Sequence, residues 1–187
     1  MSSIKLKGST SGDVTITVPA VAGTNTLTIP ASTGEMLTTV NPKPGNIIQV
    51  VNNLDTTSSG FSTTSTSYVT DSVLPTLSIT PSASNSKIYV SAFIGMQNDG
   101  LGQIENTIYR IISGGATTDL SGGNTYGLVF KGGSNAEWGY VGVQFVDSPN
   151  TTSAVTYTWY SRAESASTIY PRHPNSSIGI TLMEIAA

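Results

Sequence analysis

From Asn46 onward, apolar residues recur at alternate positions in short runs broken by polar turns, the period of a half-buried β-strand. Nine runs stand out: Ile47–Val51, Tyr68–Val73, Thr76–Thr80, Lys87–Ile94, Thr107–Ile112, Tyr126–Phe130, Gly139–Val146, Ala154–Tyr160 and Ser177–Ile185. Lys87–Ile94 is the strongest, long and almost continuously apolar. In the last run Ile178, Ile180, Leu182 and Glu184 alternate against Gly179, Thr181, Met183 and Ile185. Asn53 to Thr66 reads as a long Thr/Ser loop with Phe61 inside it. Asn98-Asp-Gly100 and Ser113-Gly-Gly115 read as turns. No stretch carries a 3.6-residue period with caps. The pattern predicts an all-β domain, a sandwich or barrel, with helix minor.

The first forty-odd residues follow another rule. Val14-Thr-Ile-Thr-Val18 and Thr26-Leu-Thr-Ile29 alternate and each runs into a proline, with small residues from Ala20 to Asn25 between them. They predict a hairpin without aromatic residues, marginal unless something packs against it. Asn41-Pro-Lys-Pro-Gly45 punctuates the chain. The expected division is therefore 1–44 as an appended segment and 45–187 as the β-sandwich.

Composition sharpens this picture. Only 10% of the 187 residues are charged, against about 25% in an average globular domain. Ser and Thr fill more than a quarter of the chain. Threonine's branched Cβ suits strands, and the clustered apolar residues argue against disorder. A net charge of −3 with scattered lysines and arginines offers no basic stripe for nucleic acid. The N-terminus lacks the apolar core of a signal peptide, and no apolar run approaches the ~20 residues of a membrane span.

Catalytic chemistry lacks its inventory. With no cysteine, disulfides, thiolate nucleophiles and Cys-based zinc sites are excluded. The single histidine, His173, sits in Tyr170-Pro-Arg-His-Pro174, read as a stiff, exposed loop. No Gly-x-Ser-x-Gly elbow accompanies it. The acids, Asp99, Glu105, Asp119, Glu137 and Asp147 among them, form no pair that spacing alone identifies as glycosidase-like. The glycine-rich pieces match no phosphate loop. No enzyme activity, metal or cofactor is expected. Surface recognition remains: Trp138, Tyr126 and Tyr170, with Arg172 and His173 alongside, are the expected ligand contacts, since aromatic rings stack on sugar faces. Trp159 and Tyr157, within a strand, are expected in the core or between subunits.

The segment Ile4-Lys-Leu-Lys-Gly-Ser-Thr-Ser-Gly12, continued by Thr26-Leu-Thr-Ile-Pro-Ala31 and Thr33-Gly34, resembles the "LKGSTSG…TLTVPA…TG" segment of tail-fibre and other virion proteins of tailed bacteriophages. Phe61 to Val90 ("FSTTSTSYV…LSITPSASNSKIYV") and Ile180 to Ala186 ("ITLMEIA") resemble jelly-roll domains that end phage fibres. The resemblance implies a jelly-roll-like sandwich, a homotrimer and a place on the virion surface after synthesis in the host cytoplasm. It implies other virion proteins and host-surface glycan as partners. It also implies that Lys5, Lys7, Val14, Ile16, Leu27 and Ile29 attach the chain to the particle or brace the trimer. The alternatives are a capsid decoration, cement or head-fibre protein and, further off, a free lectin or carbohydrate-active enzyme.

Overall fold

The structure is a computed structural model describing residues 3–21, 23–26, 42–100, 102–133 and 136–187. The chain forms two compact units, Met1–Met36 and Leu37–Ala187.

In the first unit, β1 (Ser3–Lys7) and β2 (Asp13–Thr17) pair antiparallel, Ile4 opposite Ile16 and Leu6 opposite Val14. The expected strand at Val14 forms, but its partner is Ser3–Lys7. The turn needs only Gly8 to Gly12: the Gly8 amide donates to the Gly12 carbonyl (2.9 Å), and Gly12 takes φ +80°, where glycine carries no Cβ penalty. Leu27 and Ile29 lie outside the described residues.

The second unit is all-β: β3 (Ile47–Asp55), β4 (Phe61–Thr63), β5 (Thr76–Ile79), β6 (Lys87–Asn98), β7 (Ile104–Ile112), β8 (Thr117–Asp119), β9 (Val129–Lys131), β10 (Trp138–Asp147), β11 (Val155–Ala163), β12 (Ile169–Arg172) and β13 (Ile178–Ile185). They build two antiparallel sheets. One runs β3-β13-β6-β12-β4, with β10 also on β6; the other runs β5-β11-β7-β8, with β9 also on β7. The chain crosses between the sheets from β4 to β7 at every step and again from β9 to β12, and the first and last described strands of the unit, β3 and β13, pair side by side. This is the expected jelly-roll-like sandwich. No helix among the described residues is long and apolar enough to cross a membrane.

The core lies between the sheets. Ile88, Val90 and Ile94 of β6 and Ile180 and Leu182 of β13 meet Ile108 of β7 and Tyr157 and Trp159 of β11, all essentially without exposure. The Trp159 indole sealed there is paired. Trp159 Nε1 donates to Asn106 Oδ1 (3.1 Å), which also accepts from Ser161 Oγ (2.7 Å). Asp147 ties the sheets by accepting from Arg110 Nη1 (2.8 Å) and the Tyr157 hydroxyl (2.7 Å). Burial and that carboxylate push the Tyr157 phenol far up.

Several local expectations change. Tyr68–Val73 is not a strand: Val69 makes one bridge to Ser161, and the Asp71 carboxylate accepts from the Val73 amide (3.0 Å), folding a turn. Tyr126–Phe130 is shortened, because Gly127 adopts φ +71° and breaks the extended run. The polar stretch after Asn53 contains β4, too short to show a period, held because Phe61 is half-buried against the core.

Candidate interaction surface

The strand register sorts the large sheet into two faces. Residues paired in phase with Ile94 and Ile180 point into the core, and the alternate set points away from it. On that outer face at one end, Tyr170 of β12 lies opposite Gln97 of β6, and Gln97 opposite Trp138 of β10. The next row places Tyr140 beside Gly95, and the next places Phe93 between Gly179 and Gly142.

The rings form a chain. Trp138 is 66% exposed, stacks on His173 (centroids 6.3 Å apart, planes 27°) and meets Tyr140 edge-on at 6.3 Å. Tyr140 in turn lies 6.2 Å from Phe93. These are favourable aromatic spacings.

The 173–177 turn supports this cluster. The His173 amide and the Ser176 hydroxyl both donate to the Gly95 carbonyl (2.9 Å each), and the Ser177 amide donates to the Tyr140 hydroxyl (3.2 Å). The turn lies so close to β6 that a Cβ on Gly95 would collide with Ser176 and crowd the Tyr140 ring. A shallow groove of about 380 Å³ continues from the cluster, lined by Ser91, Phe93, Gly142 and Gln144.

The structure thus brings Trp138, Tyr170 and His173 to one face and adds Tyr140, Phe93 and Gln97. Tyr140 shares Trp138's face two residues along a strand, so alternation signals it. Phe93 sits in the most apolar run, where nothing in the sequence separates an outward ring from a core one.

Two expected contacts are elsewhere. Arg172 is not an exposed contact, because it is fully buried. Its Nη1 donates to Asp55 Oδ2 (2.8 Å) and the Val73 carbonyl (2.7 Å), and its Nη2 to the Thr57 carbonyl (2.9 Å). The guanidinium, helped by bonds from Thr57, holds the Asp55 carboxyl far below the usual carboxylate range. Arg172 is a clamp between strands and loops. Tyr126 is exposed but belongs to the other sheet's margin, where its ring packs on Phe130 at 5.3 Å.

Part of the outer side of the second sheet is covered by its own contacts. Arg162 pairs with Glu105 and lies 4.6 Å over the Tyr68 ring, while the Tyr109 and Tyr160 rings pack at a tilt with centroids 4.3 Å apart. Among the described residues no three His, Asp or Glu side chains group as a metal site would require.

On the N-terminal hairpin, Ile4, Leu6, Val14 and Ile16 share one face and are 41–64% exposed. Lys5, Lys7 and Asp13 take the opposite face, where Lys5 and Asp13 pair at 3.7 Å.

The fold defines the second unit as an antiparallel two-sheet β-sandwich. No protein-family model and no curated protein matches the chain. Among solved structures, the CBM22-1 xylan-binding domain of Paenibacillus barcinonensis Xyn10C is similar at 16% identity and TM-score 0.36, over 78% of this chain and 98% of that one. A structure of infectious bursal disease virus Gt strain is similar at 12% identity and TM-score 0.33, over 97% of this chain and 50% of that one. Neither likeness is close enough to carry an argument about what this chain does.

Proposed function

We propose that the chain is a non-enzymatic structural protein of a tailed-phage particle, a short homotrimeric tail fibre or fibre tip that presents its β-sandwich to glycan on the host surface. The observation that carries the recognition half is the exposed Trp138–His173–Tyr140 cluster, buttressed from beneath by the 173–177 turn. A rigid aromatic surface with Gln97 and Tyr170 beside it offers stacking faces and hydrogen-bonding groups together, the mixture that saccharide recognition uses. The virion half is supported by the segment from Ile4 to Gly34 and by the hairpin's uncovered apolar face, which calls for a partner.

The test is binding of the full chain to a panel of immobilised bacterial surface polysaccharides, with Trp138→Ala beside it. Recognition through this surface predicts at least one binding glycan and a loss of about tenfold or more on substitution, the scale of removing a well-packed aromatic contact. Binding unaffected by Trp138→Ala would place recognition elsewhere; no binding across the panel would remove the glycan from the proposal.

A further inference from the structure

Beyond the aromatic cluster, the outer face of the large sheet continues over β3, β13, β6 and β10 and is covered by none of the described residues of its own unit. One row is apolar: Val50, Met183, Tyr89 and Val146, paired strand to strand. The next is uncharged and hydrogen-bonding: Asn52, Thr181, Ser91 and Gln144. The third returns to apolar character with Leu54 and Phe93. Val50, Val146 and Leu54 are each more than half exposed.

We propose that this face is where copies of the same chain meet, an inference that rests on the homotrimer reading above and names its interface. Three observations select a copy of the chain as the occupant. First, size: four strands at ~4.8 Å spacing and three rows spanning about five residues at ~3.4 Å rise give roughly 330 Å² in plan, a substantial part of the ~800 Å² that each partner of a stable protein interface buries. A patch of this size lies in the range of about 300–600 Å² of the largest patches on monomers, which often mark interaction sites. Second, charge: the three rows carry no ionisable side chain except the Tyr89 phenol. A partner of matching chemistry must be uncharged too, and the same face on a neighbour is. Third, relief: Phe93 projects over Gly179, where a Cβ would strike its ring, and next to it lies the groove at Gly142. A projection and a hollow on one face allow a neighbour's side chain to be received, as a closed ring of copies requires. The Trp138 end lies past these rows and stays open for ligand.

The experiment is sedimentation velocity of the full chain over a range of concentrations. It compares the natural sequence with Val50→Asp/Val146→Asp and with the control Ser78→Asp on the exposed side of the other sheet. The natural chain and the control should sediment as an oligomer. The double variant should keep its β circular dichroism and dissociate, its assembly constant weakened about 100-fold or more by charges left unpaired in the interface. Should the double variant lose its fold, Thr181→Arg in the hydroxyl row gives the same reading. A natural chain that stays monomeric, or a folded variant that assembles as tightly as the natural chain, overturns the inference. Polysaccharide binding is scored separately. A glycan-binding monomer removes the interface and leaves recognition standing, and an oligomer that binds no glycan does the reverse.

Discussion

Arg172 and Trp138 show how context decides the fate of similar-looking surface candidates. Both stand next to residues that suggest exposure, yet Arg172 is sealed and Trp138 is open. Arg172 was illegible because its partners, Asp55, Thr57 and Val73, lie about a hundred residues away in the chain. Its burial makes acid stability testable. The Asp55 carboxyl is depressed in the folded state, so its contribution is fully present above the unfolded value of about 3.9 and is lost as pH falls through the lowered folded value. Asp55→Asn should therefore melt below the natural protein at pH 7, and the gap should close as pH falls from about 4 toward 2. A gap that is constant across thermal melts from pH 7 to pH 2 contradicts the clamp. Glu184 titrates in the same sense: burial alone would raise it, but bonds from Ser82 and Gln49 hold it low. Trp138→Ala, by contrast, should leave stability within about 0.5 kcal/mol, as exposed positions do, while weakening glycan binding about tenfold or more. Trp138 and Tyr140 could be placed on one face from alternation alone. The support of His173 could not, because it depends on a turn docking over Gly95.

At the scale of elements, the long strands were legible and the short ones were not. β6, β10, β11 and β13 carry enough alternation to show their period, and β13 buries the predicted set Ile178, Ile180, Leu182 and Glu184. β12 escaped notice because Pro171 and Pro174 bracket Arg172 and His173 and read as a loop. In the structure Pro171 falls where the pairing with β4 shifts register, a place that needs no ladder donor from it. β8 is three residues long, below what periodicity can reveal. The central position of β13, paired with β3 on one side and β6 on the other, predicts that Leu182→Ala costs about 2–5 kcal/mol in urea unfolding. Thr156→Ala, on the outer side of the other sheet, should cost far less. Equal losses would mean that the C-terminal strand is not the keystone its pairing indicates.

For the whole molecule, the chain divides into two compact units. The described residues of the first unit form one two-stranded hairpin with an apolar face, marginal by itself, and the sandwich has a core of its own. Deleting residues 1–44 should leave 45–187 cooperatively folded, with thermal unfolding little changed, and should prevent incorporation into particles. Normal incorporation of the truncated chain would take attachment away from that segment. All-β architecture was readable from period and composition, whereas the uncovered face emerged only once the register between distant strands was set. The most direct measurement of the central claim is cryo-electron microscopy of purified phage particles. The account predicts a few threefold clusters of this sandwich on the tail, with the Val50–Val146 rows facing one another and Trp138 turned outward. Particles that lack the protein, or that carry it as a regular coat over the capsid, would contradict the account.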